Sequence, residues 1–193
     1  PTHNCGDIKM STAGDDIAEI NLTVVGQHYA LGGNDIIYVL NRAQSIPNGI
    51  IIDGGSGIDT LDFSSRMSSS ACTGWIEFSS YGDYFTLRSY SGSRANVYGI
   101  EKIIGQHNAV NYAYLNTLTY AIDFTDGNLN DVIRVSKYGG TYRGGAGNDS
   151  IVDYGSDAAV AGWRQRPRRL YHPRLRRQRC DHGLLDCRLS RSA

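Results

Sequence analysis

At 193 residues the chain is long enough for one domain with its own core, and 23 Gly, 13 Tyr and only 4 Pro suit many short strands and tight turns. No helical apolar period stands out, and no apolar run approaches the roughly 18 residues that a membrane-crossing helix needs. The formal net charge of +0 conceals two opposed parts: residues 1–160 carry 17 acidic against 9 basic side chains, whereas residues 161–193 carry 2 acids against 10 Arg.

In chain order, strands are expected at Ala18–Val25, Ile36–Leu40, Ile50–Ile52, Trp75–Phe78, Tyr84–Arg88, Ile100–Ile104, Leu118–Phe124, Val132–Val135 and Ser150–Val152. Trp75–Phe78 and Tyr84–Arg88 flank Ser80-Tyr81-Gly82-Asp83, which reads as the turn of a β-hairpin. The chain divides into repeats over 1–62, an antiparallel β insertion over 63–104, further repeats over 105–160 and an Arg-rich tail over 161–193. The absence of an initiator Met and of a charged-then-apolar leader points to an internal or processed piece.

Two stretches carry the most information. Gly144-Gly145-Ala146-Gly147-Asn148-Asp149-Ser150-Ile151-Val152 and Gly54-Gly55-Ser56-Gly57-Ile58-Asp59-Thr60-Leu61-Asp62 both match the nonapeptide Gly-Gly-x-Gly-x-Asp-x-apolar-x of calcium-binding parallel β-rolls. Degenerate copies keep a Gly-containing turn, an aspartate and a following aliphatic residue: Ala13-Gly14-Asp15-Asp16-Ile17, Gly32-Gly33-Asn34-Asp35-Ile36 and Gly127-Asn128-Leu129-Asn130-Asp131-Val132. Glycine lets the backbone take positive φ and turn carbonyl oxygens inward, and the aspartate adds a charged oxygen. Such all-oxygen sets suit calcium, which takes six or more oxygen ligands, better than zinc. The candidate metal-binding residues are Asp16, Gly33, Asp35, Gly54, Gly55, Gly57, Asp59, Asn130, Asp131, Gly144, Gly145, Gly147 and Asp149. Calcium is the expected cofactor.

The spacing of the aspartates predicts how the turns stack. Asp131 and Asp149 lie 18 residues apart, two nonapeptides or one full coil, so their turns belong on one edge, about 4.8 Å apart. Gly139-Gly140 supplies the turn on the opposite edge without an aspartate. Asp16 to Asp35 is 19 residues, also about one coil, and the 24 from Asp35 to Asp59 need a longer loop through Ser45-Ile46-Pro47-Asn48-Gly49.

These motifs resemble the RTX family, the hemolysin-type calcium-binding repeat proteins that bacteria export. The resemblance spans roughly residues 11–64 and 99–155. Asp59-Thr60-Leu61-Asp62-Phe63-Ser64 and Tyr98-Gly99-Ile100-Glu101-Lys102-Ile103-Ile104-Gly105 are similar to segments that bracket hairpin insertions in such proteins. After Gly105, however, Gln106-His107-Asn108-Ala109 stands where a Gly-Asn-Asp turn is usual. The resemblance implies an all-β, right-handed parallel β-roll with an inserted antiparallel hairpin region. It also implies an extracellular module, secreted or at the cell surface, that folds on calcium binding after a type I export step needing no N-terminal signal.

Composition breaks at Gly162, beyond which basic residues are all Arg and none is Lys. Codons can be written for Trp163 onward that, read one base later, encode Gly-Gly-Asn-Asp-Arg-Val-Val-Tyr, much like Gly32-Gly33-Asn34-Asp35-Ile36-Ile37-Tyr38. The tail therefore reads as the product of a shifted frame. The rival reading is an Arg arm that binds phosphate backbones, with Trp163 and Tyr171 for stacking. That nucleic-acid reading ranks lower.

Other chemistry is weaker. Cys5, Cys72, Cys180 and Cys187 make no disulfide framework. His28 and His107 share the string Gly-Gln-His-x-Ala and read as ordinary turn histidines. Asp62, Asp153 and Asp157 could complete cation shells but rank below the motif aspartates. No His-Glu-x-x-His or Gly-x-Ser-x-Gly motif occurs, so no catalytic residue is expected. The expected function is a non-catalytic calcium-binding module. The alternative is a calcium-dependent adhesin or carbohydrate-binding module in which the Trp75–Arg88 hairpin contacts a cell-surface glycan or protein; Trp75, Phe78, Tyr84 and Phe85 could form a sugar platform there, though their packing against the roll ranks higher. A C-terminal part of a secreted hydrolase ranks third.

Overall fold

The computed structural model describes residues 12–22, 25–40, 46–64, 75–89, 94–107 and 109–153 and the backbone of 159–161. Among them the protein is all-β, with no helix. The strands are β1 Ile17–Ile20, β2 Gln27–Tyr29, β3 Ile36–Val39, β4 Ile50–Asp53, β5 Thr60–Asp62, β6 Trp75–Tyr81, β7 Tyr84–Arg88 and β8 Arg94–Tyr98. They continue as β9 Lys102–Ile104, β10 Val110–Tyr114, β11 Asp123–Thr125, β12 Val132–Arg134, β13 Thr141–Arg143, β14 Ser150–Val152 and β15 Ala159–Ala161.

Apart from β6–β8, which share one sheet, successive strands alternate between two sheets. One, ordered β1-β3-β5-β9-β11-β13-β15, is parallel throughout; the other, ordered β14-β12-β10-β6-β7-β8-β4-β2, is mixed. Its antiparallel pairs are β6 with β7 and β7 with β8. The meander β6–β8 lies between β4 and β10, and Gly82-Asp83 closes its hairpin between paired Tyr81 and Tyr84, with Gly82 at φ 76°.

Alternation of side chains explains why such short strands hold. Ile37, Val39, Ile50, Ile52, Leu61, Phe78, Phe85, Val97, Ile103, Phe124, Ile133 and Ile151 all point into one buried cluster. Phe78 sits at its centre, edge-on to Phe63 and to Phe124 at ring-centroid distances of 5.5 Å in both cases. Three-residue strands such as Gln27–Tyr29 and Thr141–Arg143 each bury a single side chain, His28 or Tyr142. Their ladder hydrogen bonds to neighbouring coils, more than intrinsic propensity, place them.

The expected Leu118–Phe124 strand is shorter than its apolar content suggests, since only Asp123–Thr125 is strand. Leu118 and Ile122 are buried and instead anchor a turn at which Thr117, Thr119 and Ala121 are exposed. That turn is held by Thr117 Oγ1 donating to the Ser80 carbonyl (2.6 Å) and the Thr119 amide donating to the Gly82 carbonyl (2.8 Å). Cys5, Cys72, Cys180, Cys187, Asp157, Trp163 and Tyr171 lie outside the described residues.

Candidate cation-binding turns

The repeat turns stack, and the stacking separates them into two groups. Register pairs Ile17 with Ile36, Ile36 with Thr60 and Thr60 with Lys102, so the preceding residues Asp16, Asp35, Asp59 and Glu101 occupy equivalent places. Asp35, Asp59 and Glu101 lead from the mixed sheet into the parallel one, and Asp16 directly precedes the first strand of the parallel sheet. Asn111, Asp131 and Asp149, equivalent through Tyr112, Val132 and Ser150, lead the other way, from the parallel sheet into the mixed one. The two groups therefore line opposite edges of the sheet pair. In the coil that joins β12 to β13, Gly139 (φ 98°) and Gly140 (φ 115°) form the edge opposite Asp131 and Asp149, as their spacing predicted.

Each group is a ladder in which a carboxylate accepts the amide of the equivalent residue one coil back. The Asp16 amide donates to Asp35 Oδ1 (2.7 Å), the Asp35 amide to Asp59 Oδ1 (2.8 Å) and the Asp59 amide to Glu101 Oε2 (2.9 Å). On the opposite edge the Asn111 amide donates to Asp131 Oδ1 (2.7 Å) and the Asp131 amide to Asp149 Oδ1 (3.0 Å). A parallel row runs through the preceding position: the Ile58 amide donates to Asn34 Oδ1 (3.0 Å) and the Asn148 amide to Asn130 Oδ1 (2.7 Å). Asn130 thus aligns the turn through its side chain.

Glycine is required where these turns touch. Gly57 (φ 139°) and Gly147 (φ 122°) approach the carbonyl oxygens of Gly33 and Leu129 so closely that a Cβ would fall 1.7 Å and 2.2 Å from them. Gly54 and Gly144 leave room for the aspartates of their own turns: a Cβ there would meet Asp59 Oδ2 at 2.8 Å and Asp149 Oδ2 at 2.5 Å. Leu31 holds φ 68° at the place that Gly55 and Gly145 fill in the complete motifs. The degenerate repeat around Gly33 therefore has the backbone of a complete one.

The electrostatics are those of anions drawn together out of water. Asp35 and Asp59 are both 0% exposed, and the Oδ2 of each is buried without a hydrogen-bond partner. The Asp59 carboxyl is pushed up to about 6, first by burial and then by the charges of Asp35, Glu101 and Asp53. Burial likewise raises Asp149. Among the described residues no three His, Cys, Asp or Glu side chains converge as a metal-ligating group. A cation at these turns would thus draw on carboxylates in pairs together with backbone and amide oxygens.

Two residues in these ladders escaped the motif. Glu101 stands in the aspartate position of the coil after the meander. Its only sequence signal is an acid directly before the strand Lys102–Ile104. Asn111 holds the same position on the opposite edge, where an amide replaces the acid. Asp62 is committed to Ser64, accepting its amide and its hydroxyl at 2.6 Å each. His28 is buried in β2.

The four aromatic residues of the meander divide by face. Phe78 and Phe85 are buried in the core, whereas Trp75 packs edge-on to Tyr112 and Tyr84 stacks between Tyr81 and Tyr98 at 5.6 Å and 5.1 Å. The faces of the Tyr84 ring are covered by its neighbours, which removes them from contact with a sugar.

No protein-family model matches the chain, and no curated protein matches it.

Proposed function

We propose that the chain is a right-handed parallel β-roll whose acidic turns bind calcium, and that it serves as a non-catalytic module of a secreted RTX-type protein. The observation that carries this reading is the stack of equivalent acids Asp16, Asp35, Asp59 and Glu101 on one edge, with the Oδ2 atoms of Asp35 and Asp59 buried and unpartnered. Buried carboxylates without partners cost several kcal/mol, on the order of the penalty for an unpaired buried charge, and a divalent cation is the counter-charge their all-oxygen surroundings favour. Alternation of parallel strands between two sheets supports the roll, and right-handed crossover is the rule for parallel strands. Residues 1–160, with 17 acids to 9 bases, repel themselves until cations neutralise the turns, so that metal binding supplies folding free energy. Calcium met outside the cell would then make folding follow export.

Terbium luminescence tests the reading, with the bound ion excited through nearby tyrosines and displaced by calcium. Asp35→Asn and Asp59→Asn should each lower the emission and its calcium displacement, and Asp83→Asn at the hairpin tip should not. No terbium emission from the parent chain, or equal emission from all three variants, would remove the proposal.

A further inference from the structure

One turn departs from the glycine rule in a way that points to its own ligand. Register pairs Ile104 with Thr125 and Thr125 with Arg143, so Gly105, Asp126 and Gly144 are equivalent residues in successive coils. At Gly144 the missing side chain leaves space that the Asp149 carboxylate fills. In the coil before it, the same place holds Asp126, and the carboxylate that would fill the space is Asp131. Two carboxylates therefore share one turn. Asp126 is 4% exposed and Asp131 1%.

One oxygen of each is already held. Asp126 Oδ1 accepts from Asn111 Nδ2 (2.5 Å) and from the Gly127 amide (2.8 Å), and Asp131 Oδ1 accepts from the Asn111 amide (2.7 Å). The carbonyls of Gln106 (3.0 Å) and Ala109 (3.1 Å) and, more distantly, Asp131 Oδ1 (3.4 Å) compete with Asp126 Oδ1 for the two Asn111 Nδ2 hydrogens. Those hydrogens are thus fully used, and Asn111 cannot neutralise the second oxygens. Oδ2 of Asp126 and Oδ2 of Asp131 are both buried without a partner, and the two groups lie within hydrogen-bonding reach of each other. Both carboxyls are pushed up, first by burial; the Asp131 charge adds to the rise at Asp126, and the Asp149 charge to the rise at both.

We infer that Asp126 and Asp131 are the paired carboxylate ligands of a hard divalent cation held inside the 126–131 turn, with Asn111 as the positioning residue that fixes both through their Oδ1 atoms. This site lies outside the nonapeptide pattern, which places a glycine where Asp126 stands. The inference rests on the calcium reading above for the identity of the ion, and on the two buried Oδ2 atoms for its location.

Calorimetric titration of the full chain with calcium chloride tests it, using Asp126→Asn, Asp126→Gly and, for the opposite edge, Asp59→Asn. The expected result is that both Asp126 variants lose one bound calcium, or bind it at least tenfold more weakly, and keep the calcium that Asp59→Asn loses. Asp126→Gly restores the residue of the complete repeats and so guards against misfolding of the amide variant. If either folded Asp126 variant binds the parent number of calcium ions with affinities within twofold, the site is refuted while the calcium reading stands. If the parent chain binds no calcium, both fail together.

Discussion

Gly57→Ala should be among the most damaging single substitutions in the protein, and Gly82→Ala, an identical change at another positive-φ glycine, should be mild. At Gly82 (φ 76°) a Cβ meets nothing within 4 Å, so the cost is the left-handed backbone alone, about 1–2 kcal/mol. At Gly57 (φ 139°) the backbone strain is similar, about 1–3 kcal/mol, but the new Cβ would lie 1.7 Å from the Gly33 carbonyl oxygen, where contacts under 3.0 Å essentially never occur. The two turns must separate by more than 1 Å, roughly the difference between those distances. That breaks the bonds from the Ser56 amide to the Leu31 carbonyl (3.2 Å), from the Gly33 amide to the Ser56 carbonyl (3.0 Å) and from the Ile58 amide to Asn34 Oδ1 (3.0 Å). At about 1 kcal/mol per bond, their loss adds roughly 3 kcal/mol to the strain. The difference between the variants should be about 3 kcal/mol, or roughly 6–12 °C in melting temperature for a chain of this size. Thermal unfolding followed by far-ultraviolet circular dichroism measures it. Melting temperatures within about 2 °C of one another would show that the stacked-turn geometry is not what glycine serves at position 57.

Other outcomes follow from the same geometry. Leu31→Gly should stabilise the chain by about 0.5–1 kcal/mol, because relief of left-handed strain outweighs the flexibility glycine adds and the side chain is 57% exposed; urea unfolding would show a higher midpoint. In EDTA, stability should fall as pH rises from about 4 to about 6. Folded Asp59 holds its proton up to about 6 and the unfolded chain releases it near 3.8, so the folded state binds more protons across that window. Melting in EDTA at pH 4.5 and 7.5 checks this, and Asp59→Asn should shrink the difference. Asp149→Ala should weaken calcium binding severalfold and Asp83→Ala should leave it unchanged, as equilibrium dialysis would show, since only Asp149 stands in a repeat turn.

The sequence was most legible where geometry permits few residues. Positive-φ turns that touch a neighbouring backbone admit little besides glycine, so Gly57, Gly147 and the Gly139-Gly140 pair could be placed from spacing alone. Asp131 and Asp149 share an edge for the same reason: 18 residues return the chain to the same point. Strands were less legible where they are short. Gln27–Tyr29 and Thr141–Arg143 carry one inward side chain each, too few for an alternation to register, and neighbouring coils determine them. The change of edge between Asp59 and Asp131 falls after the meander, between Glu101 and Asn111, and was hidden because neither residue fits the nonapeptide. Asp126 was missed because a motif describes the residue it expects. An acid in place of a glycine reads as degeneracy until the register shows whose space it takes.

The most direct measurement is thermal unfolding of the full chain by circular dichroism in EDTA and in millimolar calcium, with equimolar magnesium as the comparison. A site at one hundred times its dissociation constant adds about 2.7 kcal/mol. At about 2–4 °C per kcal/mol for a chain of this length, each occupied turn should raise the melting temperature by roughly 5–10 °C, with magnesium giving much less. Identical melting curves in EDTA and calcium would contradict the account: the acidic ladders would then be a structural pattern and not a binding site.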